Sequence, residues 1–106
     1  MKLFIYLLID PQDKKPMYIG MSKDPGERLK MHMYPSQLKL YPSHPKTIWL
    51  NELLFLALKP VLQVLEEVDE TNANNREVYW INHYKNINPN LTNTDLVNIN
   101  NRAYGD

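Results

Sequence analysis

Hydrophobic and polar positions follow one another along this chain in blocks that predict strands and helices. Residues 3–9 form a nearly continuous apolar run, typical of a central strand, and residues 17–21 form a second apolar segment. The polar segment 10–16 between them contains two prolines and has the composition of a turn. We therefore predict a β-hairpin at the start of the chain.

A helix is predicted directly after the hairpin. Asp24 can cap it, Pro25 suits the first helical position, and Glu27 completes the pattern of a capping box. This helix should end near Tyr34. Residues 35–45 contain three prolines and predict an irregular connection.

The second half of the chain predicts two further helices and one strand. Residues 46–58 form a helix that is apolar almost all round, so we expect it to be well buried. Residues 61–66 read as a third strand, and a third helix should run from Asn72 or Asn74 to Tyr84. The predicted fold is α/β, a small three-stranded sheet flanked by helices in the order ββααβα.

The composition is that of one globular domain. A chain of 106 residues, 43% of them hydrophobic and 23% charged, is ordinary for this class. No apolar run approaches the roughly 20 residues that span a bilayer, so we expect no membrane partner. The absence of cysteine excludes disulfides and thiolate metal sites and is compatible with a cytoplasmic location, in a bacterial or phage-like setting. We assign residues 1–95 to the domain and residues 96–106 to a C-terminal tail.

Charge is distributed unevenly although the net charge is zero. Residues 1–59 carry nine basic and five acidic side chains, whereas residues 60–106 carry three and seven. Binding of a phosphate backbone depends on local charge, so a basic face for nucleic acid is compatible with this pattern. Two solvated faces of opposite sign explain it equally well.

Two tyrosines and a glycine are predicted to share one face of the hairpin. A turn centred near Gln12 places Tyr6 opposite Tyr18, with Gly20 two residues further along the same face. Two phenols beside a position without a side chain leave room for a ligand. The alternative is an ordinary aromatic pair across two strands.

Two helices each present candidate functional residues. Arg28 and His32 are four residues apart and share a helix face, and an arginine fork is suited to phosphate. A solvated helix surface is the alternative. Glu77 lies on the same stripe as Trp80 and Ile81, and buried carboxylates are rare unless they are paired or bound to a metal. A metal ligand and a salt bridge, for example to Arg28, both remain open.

Several short motifs in register resemble those of the GIY-YIG nuclease family. Ile5-Tyr6 and Tyr18-Ile19-Gly20 are similar to its name-giving segments, with Phe4 in place of the first glycine. Ser22-Lys23-Asp24 resembles the turn that leads to a helix-borne arginine and, in the homing-endonuclease branch, a histidine four residues later. The segment 76–81 resembles the helix with the metal-binding glutamate, and Leu91-Thr92-Asn93 resembles a short loop motif that ends in asparagine.

This resemblance implies a metal-dependent endonuclease that hydrolyses DNA phosphodiester bonds. Glu77 would hold one divalent ion, Mg²⁺ or Mn²⁺. Tyr6 would help to deprotonate the attacking water, and Tyr18 would position that water. Arg28 would stabilise charge on the phosphate, and His32 would assist proton transfer or orient a tyrosine.

The resemblance also implies supporting residues and partners. Asn93 would support the site through its amide, with Asn90 as the alternative assignment, and Lys23, Arg28 and Lys30 would contact nucleic acid. Met21 stands where many relatives carry a lysine, for which Lys23 is the candidate substitute.

We expect no separate DNA-binding domain in this sequence. The enzyme would therefore have low specificity or select duplex or branched DNA by structure, as a homodimer or with a partner protein that supplies DNA contacts. The alternative is a catalytically weak module of the same fold that binds nucleic acid or protein. Dependence on a divalent ion separates the two interpretations, because a chelator would affect only the nuclease.

Overall fold

The computed structural model describes residues 2–93 and contains three strands and four helices. The predicted α/β class and three-stranded sheet are confirmed. The predicted tail, residues 96–106, lies outside the described residues. In chain order the elements are β1 (Lys2–Ile9), β2 (Pro16–Ser22), α1 (Pro25–His32), α2 (Pro35–Leu38), α3 (Pro45–Phe55), β3 (Val61–Asp69) and α4 (Ala73–Ile87).

The segment predicted to be irregular contains the one-turn helix α2. Pro35 occupies its first turn, where the missing N–H is not required and the fixed φ angle suits a helix. Leu38 at its end is buried, which anchors the turn to the core. The prolines of this segment were interpreted as residues that interrupt helices, although a proline can also occupy the first turn of a helix, as Pro35 does.

The sheet has the order β2-β1-β3, and both neighbours of β1 are antiparallel to it. Tyr6 pairs with Gly20 and Leu8 pairs with Tyr18, so the predicted pairing of Tyr6 with Tyr18 is wrong. The hairpin turn lies later than predicted, because Lys14 adopts a positive φ and closes a loop onto Asp10. A register shift between Leu8 and Ile9 in the pairing of β1 with β2 adds to the difference between the predicted and the observed partners.

Side chains on the two faces of the sheet build two separate core clusters. Leu3, Ile5 and Leu7 of β1 pack with Ala73 and Ile81 of α4 on one face. The other face carries the second cluster, composed of Tyr6, Leu8, Tyr18, Leu38, Trp49, Leu50 and Leu53. Since β1 is covered on both faces, its continuous apolar run is explained.

Helix α3 is only partly buried, contrary to the prediction. Trp49 and Leu53 face the sheet, and the Trp49 indole N–H donates to Asp10 Oδ2 at 2.9 Å. By contrast, Ile48 is 48% exposed and Phe55 is 90% exposed. One helix face is enough to cover this side of a three-stranded sheet, so the remaining apolar side chains stay in contact with solvent.

An ion pair with an added hydrogen bond fixes α4 against β3. Arg76 Nε lies 2.8 Å from Glu66 Oε1, and the Trp80 indole N–H donates to the same oxygen at 2.9 Å. The Trp80 hydrogen bond, followed by the Arg76 guanidinium, lowers the pKa of Glu66 below its usual value. These contacts set the rotation of α4, which places Glu77 on its inner side.

None of the helices within residues 2–93 has the length and apolar character that a membrane span needs.

Candidate active site

The centre of the candidate site is a buried hydrogen bond between a tyrosine and a histidine. Tyr6 lies in the middle of β1, and its side chain is almost fully buried. Its hydroxyl Oη is 2.9 Å from Nε2 of His32, the last residue of α1. His32 is also buried, at 6% exposure. The end of α1 therefore supplies a titratable partner to a phenol that the sheet holds rigidly.

Tyr18 completes an aromatic cluster around this hydrogen bond. Its ring centroid lies 5.5 Å from the His32 ring in an edge-on contact and 6.4 Å from the Tyr6 ring. Tyr18 belongs to the second residue pair after that of Tyr6, so both side chains lie on the same face of the hairpin. The predicted proximity of the two phenols is thus present, although they meet diagonally and not as directly opposed residues.

Gly20 makes room for the Tyr6 ring and not for a ligand. Gly20 is the residue paired with Tyr6, and a Cβ added to it would overlap Cζ and Oη of that side chain. The space that was predicted for a ligand is therefore filled by the phenol itself. A glycine is required here because the ring of Tyr6 lies across the backbone of β2.

Replacing Gly20 by alanine is expected to lower the free energy of unfolding by about 1–3 kcal/mol, the usual cost of inserting a methyl group into a packed core. The measurement is urea denaturation followed by circular dichroism. Gly26→Ala is the matched control, because its Cβ would meet nothing closer than Asp24 Oδ1 at 3.7 Å. Alanine in helix α1 should be neutral or stabilising. Equal losses in both variants would contradict the packing argument.

Helix α1 and the turn before it carry the basic residues that were assigned to nucleic acid. Asp24 caps the helix by accepting from the Glu27 amide at 3.1 Å, as predicted. Arg28 lies one turn before His32 and is partly buried, whereas Lys23 is exposed. Lys30 is exposed and lies 3.3 Å from Glu27 Oε1, a surface pair of small energetic value.

Glu77 is fully buried on the inner side of α4, as its position on an apolar stripe predicted. Ile81, one turn later, is equally buried in the core beneath the sheet. Among residues 2–93, no group of three or more acidic or histidine side chains is arranged to hold a metal. The oxygen donors of one carboxylate fit an ion such as Mg²⁺, which retains several waters and needs few protein ligands.

Asn93 uses its whole side-chain amide to hold β2. Its Oδ1 accepts from the Ile19 amide at 2.7 Å, and its Nδ2 donates to the Ile19 carbonyl at 2.8 Å. Ile19 lies between Tyr18 and Gly20, so Asn93 fixes β2 beside the tyrosine of the candidate site. Asn90, the alternative candidate, is exposed and its amide N–H donates to Asn88 Oδ1.

Lys46 belongs to this cluster, although sequence reasoning identified it only as the start of a helix. His44 caps α3 by accepting from the Lys46 amide at 3.1 Å, which places Lys46 in the first turn. The ammonium Nζ lies 4.8 Å from the centre of the Tyr18 ring and 3.4 Å from His32 Nδ1. No motif signals this residue, because it reaches the tyrosines from a separate helix.

Comparison with known families identifies the fold to which this cluster belongs. The model of the GIY-YIG catalytic domain matches residues 2–91, which is most of the chain. The chain belongs to the GIY-YIG family. The matched region contains Tyr6, Tyr18, Arg28, His32 and Glu77.

Membership implies a nuclease-type activity, because the GIY-YIG family consists of endonucleases, which generally use divalent metal ions and act on DNA. No curated protein and no solved structure gives a significant match to the chain. The roles of individual residues are therefore inferred from the geometry of this site.

Proposed function

We propose that this GIY-YIG chain is a metal-dependent endonuclease that hydrolyses DNA phosphodiester bonds. The observation that carries the proposal is the buried Tyr6–His32 hydrogen bond, with Tyr18 and Lys46 in contact with the same imidazole. Buried polar groups of this kind are costly to desolvate, and hydrophobic residues would serve a purely structural core better. Family membership supplies the reaction class for which such a cluster is suited.

The residues of the cluster have different roles in the proposed reaction. Tyr6 accepts a proton from the attacking water, and Tyr18 orients that water. An ordinary tyrosine has a pKa near 10, so acting as a base requires neighbouring cations or hydrogen-bond donors. Lys46 and His32 are the groups that the structure brings to these phenols.

The remaining residues bind the phosphate or the metal, or keep the site rigid. Arg28 binds the scissile phosphate and stabilises charge in the transition state. Glu77 would hold Mg²⁺ or Mn²⁺, and the bound ion would neutralise charge on the phosphate and on the leaving oxygen. Asn93 keeps β2 in place behind the tyrosines.

We propose that the domain has low sequence specificity or recognises duplex or branched DNA by its structure. Lys23, Arg28 and Lys30 lie on α1 or shortly before it, so three cations that can attract a phosphate backbone are concentrated in one short segment. A homodimer or a partner protein would supply additional DNA contacts.

One observation favours a second candidate, a module of this fold that binds protein or nucleic acid without efficient cleavage. Ile48, Leu54 and Phe55 on α3 are between 48% and 90% exposed. Exposed apolar side chains on one helix are typical of a contact surface. Such a surface is compatible with a nuclease that works with a partner, and it does not explain the buried polar cluster.

The test of the proposed function is incubation of the purified protein with supercoiled plasmid and with a set of flap and branched DNAs. We expect strand cleavage in Mg²⁺ or Mn²⁺ that stops on addition of EDTA. Cleavage that continues in EDTA would contradict the metal-dependent mechanism. DNA binding without cleavage of any substrate in either metal would favour the binding module.

A further inference from the structure

The imidazole of His32 is held from both sides by groups of different chemistry. Its Nε2 is 2.9 Å from the hydroxyl of Tyr6, and its Nδ1 is 3.4 Å from the ammonium of Lys46. The ring itself is buried and also contacts the edge of Tyr18. Both ring nitrogens are therefore engaged, and their protonation determines the direction of each hydrogen bond.

The chemistry of lysine decides that direction. A protonated ammonium carries three donors and no acceptor, so Nδ1 of His32 must be the acceptor in its contact with Lys46. A neutral imidazole whose Nδ1 accepts carries its proton on Nε2. A second proton on Nδ1 would place two cations 3.4 Å apart, which is unfavourable in a buried site.

We propose that Lys46 is a positioning residue that holds His32 in the Nε2–H tautomer, so that His32 donates its hydrogen bond to Tyr6. This inference rests on the proposed function, and it assigns the direction of the hydrogen bond between His32 and Tyr6. With His32 as the donor, Tyr6 Oη is an acceptor, and its own proton points away from the imidazole.

This arrangement favours the phenolate of Tyr6, which forms when the phenolic proton is released to solvent water and which can then take a proton from the attacking water. A hydrogen bond donated to Oη stabilises the negative oxygen, and the nearby ammonium adds a favourable charge interaction. His32 accordingly orients and stabilises Tyr6 and does not receive the proton of that hydroxyl. Of the two roles that the sequence left open for His32, the structure favours orientation.

The contact with Tyr18 keeps the ammonium in place for this task. Lys46 Nζ lies 4.8 Å from the Tyr18 ring centre, within the range of a cation–π interaction. The hydrogen bond from Lys46 to His32 is long and restrains the lysine only weakly. The contact with the Tyr18 ring limits the movement of the Lys46 side chain further. Lys46 is also fixed near its backbone, because it lies in the first turn of α3.

The tautomer can be measured directly by NMR in the free protein. Long-range ¹H–¹⁵N correlation spectra of histidine-labelled protein distinguish the two neutral forms, and His32→Gln assigns the resonance. We expect the Nε2–H form in the wild type. Lys46→Met, which removes the charge but retains the length of the side chain, should lower the ratio of Nε2–H to Nδ1–H roughly tenfold, the loss expected for one charge-assisted hydrogen bond.

Lys46→Arg should retain the Nε2–H form, because a guanidinium also only donates hydrogen bonds. Lys59→Met is the control for removal of a lysine charge, since Lys59 is exposed and lies outside the cluster. An Nδ1–H tautomer in the wild type, or an unchanged tautomer in Lys46→Met, would overturn the proposal.

The same variants link the tautomer to turnover. We expect Lys46→Met to lower kcat about ten- to a hundredfold with little change in KM, less than the roughly 10²–10⁴-fold that direct proton transfer contributes, because Lys46 acts through His32. Lys46→Arg should recover most of that loss, which a purely structural role would not predict. Because the tautomer is measured without substrate, failure of the nuclease proposal would show as absent cleavage with the tautomer still dependent on Lys46.

Discussion

Glu77→Gln is expected to abolish cleavage while the domain remains folded. Glutamine retains the size of the buried side chain but loses the charge that a divalent ion requires. Loss of metal assistance removes several kcal/mol of transition-state stabilisation, which corresponds to a rate at least about a thousandfold lower. The rate is measured by plasmid nicking in Mg²⁺ and Mn²⁺, and folding by circular dichroism.

Metal binding itself gives an independent readout for Glu77. Calorimetric titration with Mn²⁺ should show binding to the wild type and its loss in Glu77→Gln. Glu67→Gln is the matched control, because that carboxylate is exposed and lies 3.8 Å from Lys2 at the surface. Normal cleavage by Glu77→Gln would remove Glu77 from the mechanism and leave it as a structural carboxylate of α4.

Arg28→Ala is expected to produce the second largest effect, a fall in kcat of about 10²–10³-fold. This loss corresponds to about 3 kcal/mol, the usual cost of removing one preorganised donor to transition-state charge. Arg28 is partly buried one turn before His32, so the two side chains share a face of α1. Single-turnover cleavage with excess enzyme separates this effect on chemistry from weaker DNA binding.

Two further variants make the Arg28 experiment specific. Arg28→Lys keeps the charge but loses the bidentate fork, so its rate should lie between those of the wild type and the alanine variant. Lys39→Ala removes an exposed cation at the end of α2 and should leave the rate unchanged. A nearly normal cleavage rate for Arg28→Ala would instead support the alternative interpretation, in which Arg28 is only a charge on a solvated helix surface.

All elements of this fold except the one-turn helix α2 were predictable, because local chemistry signals them. Asp24 and Pro25 begin α1 as predicted, and the apolar run of β1 indicated a central strand. The predicted register of the hairpin was wrong by two residues along β2, since Tyr6 pairs with Gly20 and not with Tyr18. The observed register depends on the positive φ of Lys14 and a shift after Leu8, which hydrophobic patterning does not encode.

The site was predictable only where residues lie on elements with recognisable motifs. Tyr6, Tyr18 and His32 meet in the structure because strand alternation and helix spacing place them correctly. Lys46 was missed because its approach depends on the packing of α3 against the sheet. The burial of α3 was overestimated for a related reason, since periodicity cannot tell how much of an apolar helix its neighbours will cover.

The contacts that Asn93 makes with Ile19 also determine how this sheet can meet other chains. β2 is an edge strand, and an open edge invites pairing with strands of other molecules, including in fibrils. The outward backbone groups of Met17 and Ile19 are taken by Thr92 and Asn93, at 2.6–2.8 Å. The segment Thr92–Asn93 thus takes the place of a fourth strand, and we expect it to prevent edge-to-edge pairing along this part of β2.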